Sequence, residues 1–294
     1  MIAVDWGTTT FRAYRLAPAG SIVEKRSAEL GILAVQGDKF AEALESQIGD
    51  WLDADSGPVV MSGMIGSRQG WKEAPYAQCP AGAKEIAACM VEVRWGTSRS
   101  AWIVPGLSCR DRQGVPDVMR GEETQILGAL DDVLEHSARI CLPGTHSKWV
   151  QLEGGRMTRF ATHMTGEVFA VLKAHSILGR MMTAADFDPV AFQSGVLRAR
   201  EPGGLLHHLF GVRSRGLVGD LTDDDSAAYL SGVLIGHELA AIPRLTGAVY
   251  LLGVPQLARL YAEALKTYGV DAGVLDPDSA VSGLFKLAQT LPGS

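Results

Sequence analysis

The chain has 294 residues, 47% hydrophobic and 20% charged, with a formal net charge of −6 and a sequence pI near 5.7. That length allows two domains with large buried cores, and the acidic balance argues against a nucleic-acid surface, which needs a basic field. No apolar run reaches the roughly 18 residues a bilayer span needs, and Asp5 and Arg12 interrupt the short apolar run at the start, so neither membrane nor signal peptide is expected and the cytoplasm is.

The opening stretch, Ile2-Ala3-Val4-Asp5-Trp6-Gly7-Thr8-Thr9-Thr10-Phe11-Arg12-Ala13-Tyr14, reads as a hairpin with a chemical turn. Hydroxyls and backbone N–H groups around Gly7, Thr8 and Thr9 suit phosphate oxygens, and Asp5 at the strand end suits a hydrated magnesium ion. A third strand is expected over 21–29, then an amphipathic helix over 40–52, where Phe40, Ala43, Leu44, Ile48, Trp51 and Leu52 recur at helical spacing. A buried strand, Pro58 to Gly63, leads into the glycine-punctuated loop 64–71; ligands collect at such strand ends in open α/β sheets.

Short strands follow at 92–95 and 101–104, and the Gly-, Pro- and charge-rich stretch 105–116 is expected to carry a domain boundary, giving domains 1–112 and 113–294. A helix over 121–134 begins with acidic residues suited to its N-terminus. Strand 139–142 then enters Pro143-Gly144-Thr145-His146-Ser147-Lys148, followed by a hairpin at 149–153 and 157–162, repeating the opening plan of strand, Gly-Thr turn and strand pair. Helices are expected at 168–178, 189–199, 205–210, 225–242, about 255–268 and about 279–289, with a buried strand at 248–253. The four cysteines are scattered without a C-x-x-C pair, so they read as reduced thiols in neither a metal site nor a disulfide framework.

Asp5-x-Gly-Thr-Thr, Gly121-Glu122 opening a helix that ends in Gly128-Ala129, Gly144-Thr145 after a strand, and Leu252-Gly253 before a helix stand in one order. Their order is similar to that of the sugar-kinase branch of the actin, hexokinase and Hsp70 superfamily. Asp5-Trp6-Gly7-Thr8-Thr9, Ser62-Gly63-Met64-Ile65-Gly66-Ser67, Arg120-Gly121-Glu122-Glu123-Thr124-Gln125, Leu142 to Trp149 and His163-Met164-Thr165-Gly166-Glu167 further resemble the 2-dehydro-3-deoxygalactonokinases over nearly the whole chain. The resemblance implies an α/β fold of two ribonuclease-H-like domains around an interdomain cleft. It also implies ATP- and magnesium-dependent phosphorylation of the 6-hydroxyl of 2-dehydro-3-deoxy-D-galactonate, a step of galactonate breakdown.

On that resemblance Asp5 meets the magnesium water shell, Gly7, Thr8 and Thr9 hold phosphates, and Gly144, Thr145 and Ser147 grip them from the second domain, with Lys148 either reaching a phosphate as a point charge or standing as a solvated hairpin lysine. Gly253, Val254 and Pro255 lie beside adenine and ribose. Glu122 is the expected general base, standing where related kinases place Asp after Gly, with Glu123 and Asp117 as rivals and helix capping as its structural alternative. For the substrate carboxylate Arg68 is expected, with Arg120 and Arg12 as alternatives, and Ser67, His163, Thr165, Glu167, Trp71 and Tyr76 are candidates for lining the sugar site. Sugar acid and ATP are the expected partners, nucleic acid and membrane are not, and a homodimer is the default. The alternatives are a kinase for another acid, such as 2-dehydro-3-deoxygluconate, or an actin-like ATPase acting as a switch.

Overall fold

A computed structural model describes residues 1–54, 57–183, 186–242 and 247–291. By contacts the chain forms two units, Met1–Ser137 with Val150–Phe160 and Leu275–Ser294, and Ala138–Trp149 with Ala161–Val274.

The first unit begins with β1 (Ile2–Trp6), β2 (Phe11–Leu16) and β3 (Ile22–Ala28), then α1 (Phe40–Ala54) and β4 (Val59–Ser62). After these come β5 (Tyr76–Gln78), α2 (Ala83–Ala87), β6 (Val91–Trp95), β7 (Arg99–Ile103), β8 (Gly106–Arg110), β9 (Pro116–Met119) and α3 (Glu122–Ala129). Six strands form a sheet in the order β3-β2-β1-β4-β7-β6. β1 is antiparallel to β2, with Asp5 opposite Arg12, and parallel to β4, with Asp5 opposite Ser62. Its central place explains why Ile2, Ala3, Val4 and Trp6 are all fully buried. Phe40, Leu44, Ile48 and Trp51 of α1 pack into the same core as Trp6, Phe11, Met61 and Ile103.

Residues 105–116, the expected boundary, lie inside this unit. There β8 is parallel to β5 and antiparallel to β9, and its Leu107 and Cys109 are buried, so the Gly- and Pro-rich composition marks strand ends and a turn. The helix expected over 121–134 ends earlier, at Ala129, and passes into a single 3₁₀ turn at Leu130–Asp132.

The chain continues through β10 (Ser137–Leu142), β11 (Ser147–Glu153), β12 (Arg156–His163), α4 (Thr165–His175), α5 (Pro189–Arg198), α6 (Gly204–Val218) and α7 (Ser226–Ala241). It ends with β13 (Ala248–Leu251), α8 (Pro255–Thr267), β14 (Ala272–Val274) and α9 (Ala280–Ala288). The second sheet has the order β12-β11-β10-β13-β14, with β10, β13 and β14 parallel. In the second unit α7 carries buried residues around much of its circumference, because α4, α5, α6 and α8 all pack against it. α6 extends well past the expected 205–210, and its Leu206, Phe210 and Leu217 are exposed, which breaks the apolar pattern a sequence reading relies on. The four cysteines are free, two buried and two partly so.

Helix packing here depends on glycines that allow backbones to approach. A Cβ on Gly128 of α3 would lie 1.7 Å from the Ser279 carbonyl oxygen, and one on Gly283 of α9 would lie 1.9 Å from the Thr124 carbonyl oxygen. Gly195 of α5 and Gly232 of α7 make the equivalent reciprocal approach, 2.3 Å to the Tyr229 oxygen and 2.0 Å to the Phe192 oxygen. Lys286 fastens α9 to α3 through the Leu127 carbonyl at 3.0 Å and Asp131 at 3.0 Å. Helix propensity alone would favour Gly128→Ala by about 1 kcal/mol. The expected outcome is instead a loss of about 1–3 kcal/mol from overpacking, seen as a lower midpoint of thermal unfolding than wild type.

Candidate active site

In the first unit the site grows from the end of β1. Gly7 N–H donates to the Thr10 carbonyl at 2.9 Å, closing the turn and leaving Thr8, Thr9 and Thr10 exposed. The turn is held from behind by the segment after β3: Gly31 donates to Thr9 at 3.0 Å, Ile32 to Gly7 at 3.0 Å and Leu33 to Thr8 at 3.3 Å. Gly31 must be glycine, since a Cβ would sit 2.2 Å from the Thr8 carbonyl oxygen. The Trp6 indole secures the same segment by donating to Leu30 at 2.7 Å, while its ring meets Phe11 edge-on at 4.9 Å.

Asp5 faces Arg12 at 3.6 Å. Burial pushes its carboxyl above the usual range, Arg12 opposes that shift, and the charge of Glu122 adds to it. Two glycines bring these acids together. Gly63, at φ +92°, has room for no Cβ beside the Trp6 carbonyl (2.8 Å) and Asp5 Oδ1 (3.3 Å), and Gly121, at φ +105°, would place a Cβ 3.5 Å from Gly63 Cα.

At the start of α3 two carboxylates fold back onto the chain. Glu122 Oε2 accepts the Arg120 N–H at 3.0 Å, and Glu123 Oε2 accepts the Gly121 N–H at 2.7 Å. Glu122 is partly exposed, whereas Glu123 is fully buried and also accepts from the Thr124 hydroxyl at 3.0 Å. The N–H that Glu122 accepts belongs to Arg120, which precedes the helix, so this bond does not cap α3. Burial, and then the neighbouring Glu122 charge, push Glu123 up to about 8. Asp117 lies in β9, its carboxylate accepting the Val118 N–H at 2.8 Å.

The candidate arginines differ sharply. Arg68 is 87% exposed and pairs with exposed Glu73 at 3.2 Å. Arg120 is tucked in: Nη2 donates to the Ala74 carbonyl at 2.8 Å and the guanidinium lies 4.5 Å from the Tyr76 ring centroid, while Nε and Nη1 are buried without an acceptor. Ser67 Oγ is also buried without a partner. Trp71 packs against Trp95, with ring centroids 5.2 Å apart.

In the second unit the Gly144–Thr145 turn follows β10 and abuts α4. Thr145 accepts the Glu167 N–H at 2.9 Å, and a Cβ on Gly166 would lie 2.5 Å from the Gly144 carbonyl oxygen. His146 contacts the Glu167 carboxylate, and Lys148, largely buried, donates to the His146 carbonyl at 3.2 Å. Ser147 is fully buried, its hydroxyl 2.7 Å from that of Tyr261. His163, at the end of β12, keeps Nε2 buried without a partner. Leu252 N–H donates to Cys141 at 2.9 Å, so Gly253, Val254 and Pro255 leave β13 beside the end of β10, and Gly253 takes φ +154°. A cavity of about 250 Å³ opens next to them, lined by Gly144, Thr165, Phe169, Leu257 and Tyr261 among others.

Beneath this turn lies a feature the motifs did not disclose. Buried Glu238 of α7 accepts from Trp149 Nε1 at 2.7 Å, from Tyr261 OH at 2.7 Å and from the Thr165 hydroxyl. It joins β11, α4, α7 and α8, and burial together with Glu238 raises the Tyr261 phenol well above its usual range. Its trace in the sequence is a lone acid in the largely apolar run 226–241.

The strand orders and the two Gly-Thr turns are those of a sugar kinase with the actin-like ATPase fold. The sequence profile of the 2-keto-3-deoxy-galactonokinase family matches residues 5–287. A Rhizobium meliloti (strain 1021) protein named as a 2-dehydro-3-deoxygalactonokinase is 40% identical over 298 residues, covering 98% of this chain and 96% of its own. The 2-dehydro-3-deoxygalactonokinase of Escherichia coli (strain K12) is 36% identical over 282 residues, covering 95% and 94%. A crystal structure assigned to a 2-dehydro-3-deoxygalactonokinase protein from Sinorhizobium meliloti superposes with a TM-score of 0.90 at 38% identity, covering 100% of this chain and 99% of that one. The chain belongs to the 2-keto-3-deoxy-galactonokinase family.

Glu123 makes stability depend on pH. Its folded pKa of about 8 lies above the ordinary 4.5, so between these values the folded chain keeps a proton that the unfolded chain releases. Its contribution is complete below the lower value and is lost as pH rises through the higher one. The unfolding midpoint should therefore fall more steeply from about pH 5 to 8.5 in wild type than in Glu123→Gln, which mimics the protonated acid. Equal slopes would show that Glu123 is ionised in the fold.

Proposed function

We propose that this protein transfers the γ-phosphoryl group of ATP to the 6-hydroxyl of 2-dehydro-3-deoxy-D-galactonate. Family membership supports the reaction class, and the observation that carries the assignment of residues is the approach of Gly121 to Gly63, which brings Glu122 within electrostatic reach of Asp5. Glu122 receives the hydroxyl proton. Its fixed oxygen holds the side chain to the Arg120 N–H, and partial exposure leaves the group accessible to substrate.

Thr8, Thr9 and the N–H groups beyond Gly7 bind phosphate oxygens, on a turn stiffened by the bonds from residues 31–33. Gly144 and Thr145 bind phosphate in the second unit, Gly253, Val254 and Pro255 border the adenosine, and the apolar cavity beside Gly144 takes the base. Ser147 acts through Tyr261, holding the turn, and Lys148 stiffens it through the His146 carbonyl. A hydrated magnesium ion suits the Asp5 end of β1, where burial and the nearby Glu122 charge disfavour an ionised Asp5 and Arg12, at 3.6 Å, favours it. Bound there, the ion would neutralise phosphate charge. We place the protein in the cytoplasm; among the described residues no helix is long and apolar enough to cross a membrane.

ADP release measured with ATP, magnesium and either 2-dehydro-3-deoxygalactonate or 2-dehydro-3-deoxygluconate tests this reading. Turnover should require the acid and favour the galacto form, and acid-independent ADP release would point to a switch ATPase instead. Glu122→Gln should lower kcat by at least ~100-fold, the scale of general-base loss, with little change in the KM for ATP. Undiminished turnover would move the base elsewhere.

A further inference from the structure

Arg120 is a cation without an anion. Among the described residues no carboxylate pairs with it, and its Nε and Nη1 are buried without an acceptor. Buried donors are costly unless bonded, and an incoming anion would supply the acceptors that Nε and Nη1 lack. The guanidinium is nonetheless held firmly. Tyr76 stacks against it at 4.5 Å, and Gly66 covers it, where a Cβ would lie 2.8 Å from Nη1. Tyr76 is itself seated by Gly106, where a Cβ would lie 2.6 Å from the ring.

Donor geometry indicates the chemistry of the anion. Nη2 carries two hydrogens, one in each of the two guanidinium forks, and the Ala74 carbonyl uses one of them. Whichever it uses, the other fork keeps both its donors, since Nε and Nη1 are free. A planar carboxylate fits such a fork with two parallel bonds. Ser67, next to the covering Gly66, adds a buried hydroxyl with no partner.

We infer that Arg120, with Ser67, is the receptor for the carboxylate of the sugar-acid substrate and the reason the enzyme takes an acid in place of a neutral sugar. The inference rests on the kinase reading above and deepens it. Gly66 of the loop after β4 packs against Nη1, so that loop borders the receptor. Exposed Arg68, paired with Glu73, stands outside the receptor. The same residue that binds the carboxylate through its side chain steadies Glu122 through its N–H at 3.0 Å, so acid recognition and the base are two residues apart on one turn.

The test compares 2-dehydro-3-deoxygalactonate with its methyl ester as phosphoryl acceptors for wild type, Arg120→Met, Arg120→Lys, Ser67→Ala and Arg68→Met. Arg120→Met should raise the KM for the acid at least ~100-fold, as expected for losing a bidentate charged pair. It should leave the KM for ATP within about twofold and abolish the preference for acid over ester. Arg120→Lys should restore only part of that preference, because an ammonium lacks the fork, and Arg68→Met should keep it. If Arg120→Met does not fold by circular dichroism, Ser67→Ala decides, with an expected rise of about 5- to 10-fold in the KM for the acid alone. An unchanged acid-over-ester preference in Arg120→Met, or in Ser67→Ala where that variant decides, overturns the receptor. Wild type that phosphorylates neither compound would instead defeat the kinase reading.

Discussion

The end of the central strand carries a partly buried acid, Asp5, which feels both the Arg12 and the Glu122 charge, and the turns around it position those groups. Asp5 comes from the central strand and Glu122 from the start of a helix more than a hundred residues on. They meet because Gly63 and Gly121 take positive φ values and carry no side chain, so that backbone can approach backbone. Arg12 opposes the charge on one side, and the Arg120 N–H fixes the other. Glu123 holds the turn by accepting the Gly121 N–H, and burial pushes its carboxyl up to about 8.

The second unit solves a different problem, which is to keep a small turn rigid beside an apolar cavity. Glu238 does so from below, as one buried acceptor for an indole, a phenol and a hydroxyl from three separate elements. Such a network is costly when incomplete, and here each of the named donors has found the same carboxylate. The close glycine contacts between α5 and α7 bring the two backbones together and set the position of the helix that carries the acceptor. Ser147 thereby supports the turn from within, its hydroxyl directed to Tyr261.

Arg120 and Arg68 stand differently in the fold, and position along the chain does not show which of them is buried. Arg68 follows a strand-end loop, where sugar-binding residues are expected, yet its side chain extends into solvent. Arg120 directly precedes the Gly-Glu pair and could be read as a phosphate ligand or a structural ion pair. What separates the two is burial and the count of free donors, neither of which is written in a motif.

The sequence by itself determined the order of the principal elements, the two Gly-Thr turns, the acids at 5 and 122 and the family, since apolar periodicity and short motifs are local properties of the chain. It could not show that residues 105–116 fold as strands, that α6 runs on to Val218 with an exposed apolar face, or that the short β14 exists, because each depends on what packs alongside. Tertiary structure alone decided that burial lifts the Glu123 carboxyl, that Glu238 gathers three donors and that Arg120 Nε and Nη1 are buried without an acceptor among the described residues. Ionisation, hydrogen-bond completeness and solvent exposure are set by neighbours distant in sequence, and only the folded chain brings those neighbours within reach.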